Sequence, residues 1–257
     1  MCAYMMNAER KQAILLLIRE RGRATVAELS QHFGVSAATV RRDLDALEDE
    51  ELILRTHGGA VVAERALPEP PIIQRMKENE EEKKRIGKAA AELIQDGETI
   101  FLGSGTTTFE VARNLTGKKN LTVITNAINI VNALVDQPHI TVIVTGGLLR
   151  HSELSIIGHI AEQTLKELRA NKVIMGMRAI SVHDGLTSDY LPEIMTDRAI
   201  MRSAPEVILV ADHSKLEKVS TVLVAPITAV HKIVTDAAAP ASIVTELRRL
   251  GIEVILA

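Results

Sequence analysis

Residues 25–44 read TVAELSQHFGVSAATVRRDL, and the punctuation inside this stretch decides how the front of the chain folds. Thr25 with Glu28 three residues on is a capping box, which satisfies two amides that a helix start otherwise leaves orphaned. It opens a helix over Val26–Phe33 that Gly34 breaks. Ser36 is a strong N-cap for the next helix, which runs to about Asp49 with Val40, Leu44 and Leu47 at i, i+4 and i+7 for burial. Two helices joined by a short turn with a glycine make a helix-turn-helix.

Working outward, Ile14, Leu15, Leu17 and Ile18 form a helical stripe upstream that ends near Gly22. Downstream, Leu52–Arg55 and Ala60–Val62 flank the pair Gly58-Gly59, the pattern of a β-hairpin. Residues 1–62 therefore read as an α+β winged helix-turn-helix domain. Pro68, Pro70 and Pro71 stiffen residues 63–77 into an extended linker. A helix over 78–94 follows and ends at Asp96-Gly97. From there short β-branched runs alternate with helices. The expected strands are Thr99–Leu102, Leu121–Thr125, Ile140–Thr145, Val173–Met177, Val207–Ala211, Thr221–Val224, Lys232–Thr235 and Glu253–Leu256. Helices are expected near 106–115, 127–136, 158–169, 191–203 and 240–250. Residues 78–257 thus read as a larger α/β domain with a mainly parallel sheet.

Composition removes several function classes. A hydrophobic fraction of 46% and a charged fraction of 25% over 257 residues suit two globular domains. The net charge of −3 excludes a generally basic coat but leaves room for a local basic site. With 2% aromatics and no Trp, stacking of single-stranded bases is excluded, so any nucleic acid should be duplex. Cys2 is the single cysteine and cannot close an internal disulfide. The start lacks an apolar core of signal-peptide length, and Ala13–Ile18, the longest aliphatic run, is far too short for a membrane span. The expected compartment is the reducing cytoplasm, with no membrane partner.

The helix beginning at Ser36 has the makings of a groove reader. Ala37 and Ala38 allow close approach, while Ser36 and Thr39 can donate to phosphates or base edges. Arg41 and Arg42 carry forked donors suited to phosphate or to guanine. Arg55, His57 and Gly58 would form the wing. Residues 1–60 hold eight Lys and Arg (10, 11, 19, 21, 23, 41, 42, 55) against nine Asp and Glu (9, 20, 28, 43, 45, 48–51), so the block is not basic overall. Distribution matters more: no acid stands between Glu28 and Asp43. A protein-binding module with a solvated arginine face is the bland alternative.

In the second domain, Thr99–Leu102 runs into Gly103-Ser104-Gly105-Thr106-Thr107-Thr108 and then a helix. A strand feeding a glycine and hydroxyl loop at a helix start is a cradle for an anion. It is not a P-loop, because no Lys follows, and it lacks the third glycine of a dinucleotide fingerprint. Asn126, Gly146 with Gly147, and the pair Asp212 and Lys215 end other strands and could meet the same crevice. Asp184 is a further candidate, weaker like Asp189, Glu193 and Arg198. The eight histidines lack metal-site spacing, and no Gly-x-Ser-x-Gly elbow occurs, so no metal, cofactor or catalytic nucleophile is expected.

The run Val26-Ala27-Glu28-Leu29, Phe33-Gly34-Val35-Ser36, Thr39 to Leu44, Leu47 and Leu54-Arg55-x-His57-Gly58-Gly59-Ala60 resembles the N-terminal signature of the DeoR family of bacterial transcription regulators. The resemblance continues through the second half, which is similar to that family's sensor domain and, in fold, to sugar-phosphate isomerases. It implies a repressor of a carbohydrate-metabolism operon, bound to double-stranded operator DNA as a homodimer or homotetramer. It also implies a phosphorylated sugar on the loop 103–108, with Asn126, Gly146, Gly147 and Lys215 nearby. Turnover is not expected, since Asp184-Gly185 runs into Leu186-Thr187-Ser188 where an isomerase carries an acidic run. The rival readings are a phosphosugar isomerase with a DNA module and a non-specific DNA-binding protein.

Overall fold

The computed structural model describes residues 7–21, 23–49, 53–56, 59–62 and 70–257. The chain divides into two compact units, Met1–Pro68 and Glu69–Ala257. His57, Gly58 and Pro68 lie outside the described residues, and so does the part of the linker from 63 to 69.

In the first unit, α1 (Asn7–Arg21), α2 (Val26–Phe33) and α3 (Ala37–Asp49) pack with strands β1 (Arg23–Thr25), β2 (Ile53–Thr56) and β3 (Gly59–Val62). The capping box forms as its residues require: the Glu28 amide donates to Thr25 Oγ1 at 3.2 Å, and Glu28 Oε2 accepts from the Thr25 amide at 2.7 Å. Gly34 ends α2 in the left-handed region at φ 65°. Ile14, Ile18, Leu29, Val40 and Leu44 are fully buried at the centre, and Leu47 and Ile53 close the core. The strands form an antiparallel sheet in the order β1-β3-β2. The strand β1 is absent from the sequence expectation. It explains Gly59, whose added Cβ would sit 2.1 Å from the Ala24 carbonyl oxygen. That glycine serves a close strand approach as well as the turn.

The second unit begins with α4 (Ile72–Arg75) and α5 (Glu80–Glu92). Ile72 and Arg75, which the proline pattern assigns to the linker, are buried in it. The main sheet has seven parallel strands in the order β15-β14-β12-β9-β4-β5-β6. These are β4 (Thr99–Leu102), β5 (Leu121–Thr125), β6 (Ile140–Val144), β9 (Lys172–Met175), β12 (Glu206–Val210), β14 (Lys232–Thr235) and β15 (Glu253–Leu256). Side chains alternate between two cores: Phe101, Val173, Leu209 and Ile233 face one, and Ile100, Leu102, Ile174, Ile208 and Val234 the other. The helices α6 (Thr106–Arg113), α7 (Ile128–Leu134), α8 (His159–Glu167), α9 (Leu191–Met201) and α10 (Ala241–Arg249) lie close to their expected places. Four short strands complete the unit: β7 (Leu148–Arg150), β8 (Ser155–Ile157), β10 (Ala179–Ser181) and β11 (Gly185–Ser188). The expected strand near 221–224 is β13 (Val222–Ala225), and it joins β10 and β11 in a separate antiparallel sheet rather than the main one.

The topology locates the site. From β4 the chain moves through β5 to β6 on one side, then returns to β9 on the other side of β4. In open α/β sheets the crevice at such a reversal, outside the carboxyl ends of the strands, is where ligands sit.

Candidate functional site

At that reversal, an open cleft gathers side chains from across the second unit. It is lined by Ser104–Thr107 after β4, Gly176–Arg178 after β9, and Ala211, Asp212, Ser214 and Lys215 after β12. Ser188 ends β11 and Asp189 follows it, Glu193 and Asp197 project from α9, and Arg150 and Glu153 come from the β7–β8 hairpin. Arg75, Glu78 and Lys83 close the lining from α4 and α5.

The loop after β4 presents a set of open donors. Gly103 packs against Met175 and donates its amide to Ile174 at 2.9 Å, which fixes the loop's start. Gly105 has φ 141° and supplies no side-chain cap to α6. Among the described residues, the amides of Ser104 to Thr108 find no acceptor in the protein. Thr106 and Thr107 are more than nine-tenths buried, yet neither hydroxyl makes a hydrogen bond within the protein. Thr108 instead donates to the Gly105 carbonyl at 3.0 Å and is structural. Open amides, the positive end of α6 and two waiting hydroxyls together attract phosphate.

Cations and carboxylates ring this cradle. Buried Lys83 donates to the Arg75 carbonyl at 2.7 Å, and burial lowers its pKa, opposed in part by Asp212. Asp212 is 2% exposed; its Oδ1 accepts from Asn79 Nδ2 at 2.9 Å and from the Ser214 amide at 3.0 Å. Those bonds hold the turn that carries Lys215. Arg75 pairs with Glu153. Arg150 pairs with Glu193 and stacks 4.0 Å above the Tyr190 ring, while Ser155 donates to the other Glu193 oxygen at 2.8 Å. Arg178 Nε stands 3.6 Å from Asp189. Burial, then the charge of Glu193, push the Asp197 carboxyl well above the usual range, against the pull of Arg150.

The sequence candidates divide accordingly. Ser104, Gly105, Thr106, Thr107, Asp212 and Lys215 meet in the cleft, with Gly103 as their support. Asn126, Gly146 and Gly147 do not line it. Asn126 is buried, donates to the Ile156 carbonyl at 3.2 Å, and receives the Ile156 amide on its own carbonyl. Gly147 turns at φ 140°, where a Cβ would strike the Ile157 carbonyl. Asp184 is a hairpin-turn residue between β10 and β11, exposed, bonded to Ser181 and remote from the lining. Arg198 turns away to the carbonyls of Leu223 and Val224. Four carboxylates, Glu153, Asp189, Glu193 and Asp197, also line the cleft, and of these Glu153 and Asp197 were not among the sequence candidates. Arg75, Arg150 and Glu153 carry no sequence signal, because their partners are dozens of residues away, and Arg178 carries none because its Asp189 lies across a strand pair.

In the first unit the α3 start is capped and exposed. Ser36 Oγ accepts the Thr39 amide at 3.2 Å and lies 2.9 Å from Thr39 Oγ1. Ala37, Ala38, Arg41 and Arg42 are exposed. Asp43, the first acid on this helix, is turned inside, where Arg10 of α1 pairs with it at 2.6 Å. The exposed start of α3 is thereby left without negative charge. Arg55 lies on β2, whose hairpin tip falls outside the described residues. Among the described residues, no group of three or more His, Cys, Asp or Glu could hold a metal, and no helix is long and apolar enough to cross a membrane.

A helix-turn-helix head with an exposed, capped α3 start, followed by a parallel-sheet unit with an open, donor-rich cleft, is the build of a ligand-sensing DNA-binding protein. The DeoR-like helix-turn-helix domain matches residues 10–66, and the DeoR C terminal sensor domain matches residues 78–237. The chain belongs to the DeoR family. The glycerol-3-phosphate regulon repressor of Escherichia coli (strain K12) is 35% identical over 243 residues, spanning 95% of this chain and 96% of the relative. The HTH-type transcriptional repressor CsqR of the same strain is 36% identical over 247 residues, spanning 96% and 94%. The HTH-type transcriptional regulator GlpR of Haloferax volcanii is 34% identical over 251 residues, spanning 98% of each chain. Ribose 5-phosphate isomerase A from Methanocaldococcus jannaschii superposes with a TM-score of 0.40 at 18% identity, covering 54% of this chain and 55% of the other. That likeness is too slight to bear on function.

Proposed function

We propose that this chain is a sequence-specific repressor of a carbohydrate-metabolism operon, released from its operator by a phosphorylated sugar bound in the cleft of the second unit. The observation that carries the reading is the uncapped start of α6, with its open amides and the unbonded hydroxyls that the otherwise buried Thr106 and Thr107 turn to the cleft. Ser104, Gly105, Thr106 and Thr107 hold the phosphate, with Lys215 and Lys83 as nearby cations. The relatives named for a glycerol-3-phosphate regulon and for transcriptional repression support the same reading. Ser36, Ala37, Thr39, Arg41 and Arg42 read the duplex, and Arg55, His57 and Gly58 form the wing.

Release requires that the sugar phosphate favour one arrangement of the protein over another; a tight ligand with no such preference shifts nothing. The segment from Pro70 to Asn79 is the path by which a change in the cleft leaves the second unit. The Ile72 amide donates to the Ser152 carbonyl at 2.8 Å, Arg75 pairs with Glu153, and Asn79 holds Asp212. Each tie joins the chain's route from the head to a wall of the cleft. The protein works as a homodimer or homotetramer in the cytoplasm, matching paired half-sites.

The direct test is binding of the full chain to random duplexes with selection, then release of the selected operator by a panel of phosphosugars. Recovery of one motif and its release by a single phosphosugar supports the reading. Equal affinity for all duplexes at every salt concentration contradicts it. The isomerase reading draws on the carboxylates in the cleft, and it requires turnover that Lys215→Ala abolishes. No turnover is expected, in keeping with relatives named as transcriptional repressors and regulators.

A further inference from the structure

One wall of the cleft stands opposite in character to the phosphate cradle. Glu193 and Asp197 are i,i+4 on α9 and so share a face. Glu193 is spent on Arg150 and Ser155. Asp197 is different: among the described residues its carboxyl makes no hydrogen bond or ion pair. Ser188, 7% exposed and also lining the cleft, has a hydroxyl with no partner within the protein. The buried Oδ2 of Asp189 accepts no hydrogen bond, since the nearest cation, Arg178 Nε, is 3.6 Å away. Three polar groups lining one cleft, each short of a hydrogen-bond partner where the other charges are paired, mark where a ligand supplies them.

We propose that Ser188, Asp189 and Asp197 form the specificity wall of the cleft, reading the hydroxyls of a polyhydroxylated phosphate ester whose phosphate lies on the Thr106–Thr107 loop. This rests on the phosphate reading of that loop. Hydroxyls suit the wall better than an amine. Asp189 already faces Arg178, and Asp197, raised toward its neutral form by burial and by Glu193, can both donate and accept as a hydroxyl does. An ester without hydroxyls would leave these buried polar groups unpaired, which is how such sites reject analogues.

The test compares sorbitol 6-phosphate, hexyl phosphate and inorganic phosphate by calorimetric titration of the full chain. The first two share a six-carbon chain and differ in hydroxyls. The wall predicts that sorbitol 6-phosphate binds at least roughly tenfold more tightly than hexyl phosphate. In Asp197→Ala and Ser188→Ala that preference falls several-fold, while inorganic phosphate binds as before. Asp197→Asn, which keeps shape and an acceptor, should retain part of the preference. Equal binding of the two esters to the native chain, with inorganic phosphate still bound, overturns the wall and spares the phosphate site. A tenfold preference that survives in both alanine variants also overturns it. Failure of all three probes to bind removes the phosphate reading and the wall together.

Discussion

Thr106 and Thr107 concentrate the functional claim at the scale of single residues. Each is a mostly buried residue whose hydroxyl the protein leaves unbonded, beside amides that no acceptor satisfies. A hydroxyl bond to an ionised phosphate contributes about 1.5–3 kcal/mol. Thr107→Val keeps the shape and should weaken phosphosugar binding by roughly tenfold or more, measured by calorimetry, with unchanged unfolding stability in the absence of ligand. The loop's place between β4 and α6 was legible because glycines and hydroxyls between an apolar run and a helical one mark a turn. The companion candidates were not: Asn126, Gly146, Gly147 and Asp184 end strands or turns, but a strand end does not say which way it faces. Asp197 sets a pH dependence of its own. Its folded pKa is raised above the ordinary 3.8, so the native state holds a proton that the unfolded chain releases. Its contribution is full below about pH 3.8 and is lost as pH rises through the folded value. Asp197→Asn should therefore match the native chain in acid and exceed it in stability near neutral pH, as denaturant unfolding at each pH would reveal.

At the scale of elements, capping and pairing carry the head. Ser36 caps α3, and replacing such a cap by alanine costs about 1 kcal/mol. Ser36→Ala should lower the stability of the head by that amount and weaken operator binding, the first read by urea unfolding and the second by anisotropy. Asp43 is 3% exposed and depends on Arg10. Arg10→Leu leaves that charge buried without its partner and should cost about 3 kcal/mol or more. Helices α2 and α3 were readable to within a residue or two, because capping boxes and glycine stops are local chemistry. The strands β7, β8, β10 and β11 were not, since runs of three or four residues show no period of two and these lack the continuous apolar run that marks β4 or β14. Their formation depends on pairing, and the same holds for β1. Gly59 illustrates the cost: its place beside a turn hid its second role against Ala24.

At the scale of the whole molecule, the main sheet was legible from its buried apolar runs, and its strand order was not. That order creates the reversal beside β4, and with it the cleft that collects Arg75, Arg150, Arg178 and Lys215 from four distant segments. The regulator account joins two chemistries through one chain: a phosphate cradle in the second unit and a reading helix in the first. Moving a population from 1:99 to 99:1 takes roughly a 10⁴-fold preference of the ligand for one state. Ties such as Arg75 to Glu153 between the connecting segment and the cleft are where that preference would be expressed. Glu153→Gln should leave operator affinity without ligand within a few-fold, yet raise the phosphosugar concentration needed for release.

The most direct measurement is release of the selected operator, followed by anisotropy, as the best phosphosugar is titrated into the native chain and into Thr107→Val. The account predicts release of the native protein and a release midpoint shifted upward by roughly tenfold or more in the variant, with equal operator affinity before ligand is added. Identical midpoints for the two proteins would place the effector elsewhere and contradict the account.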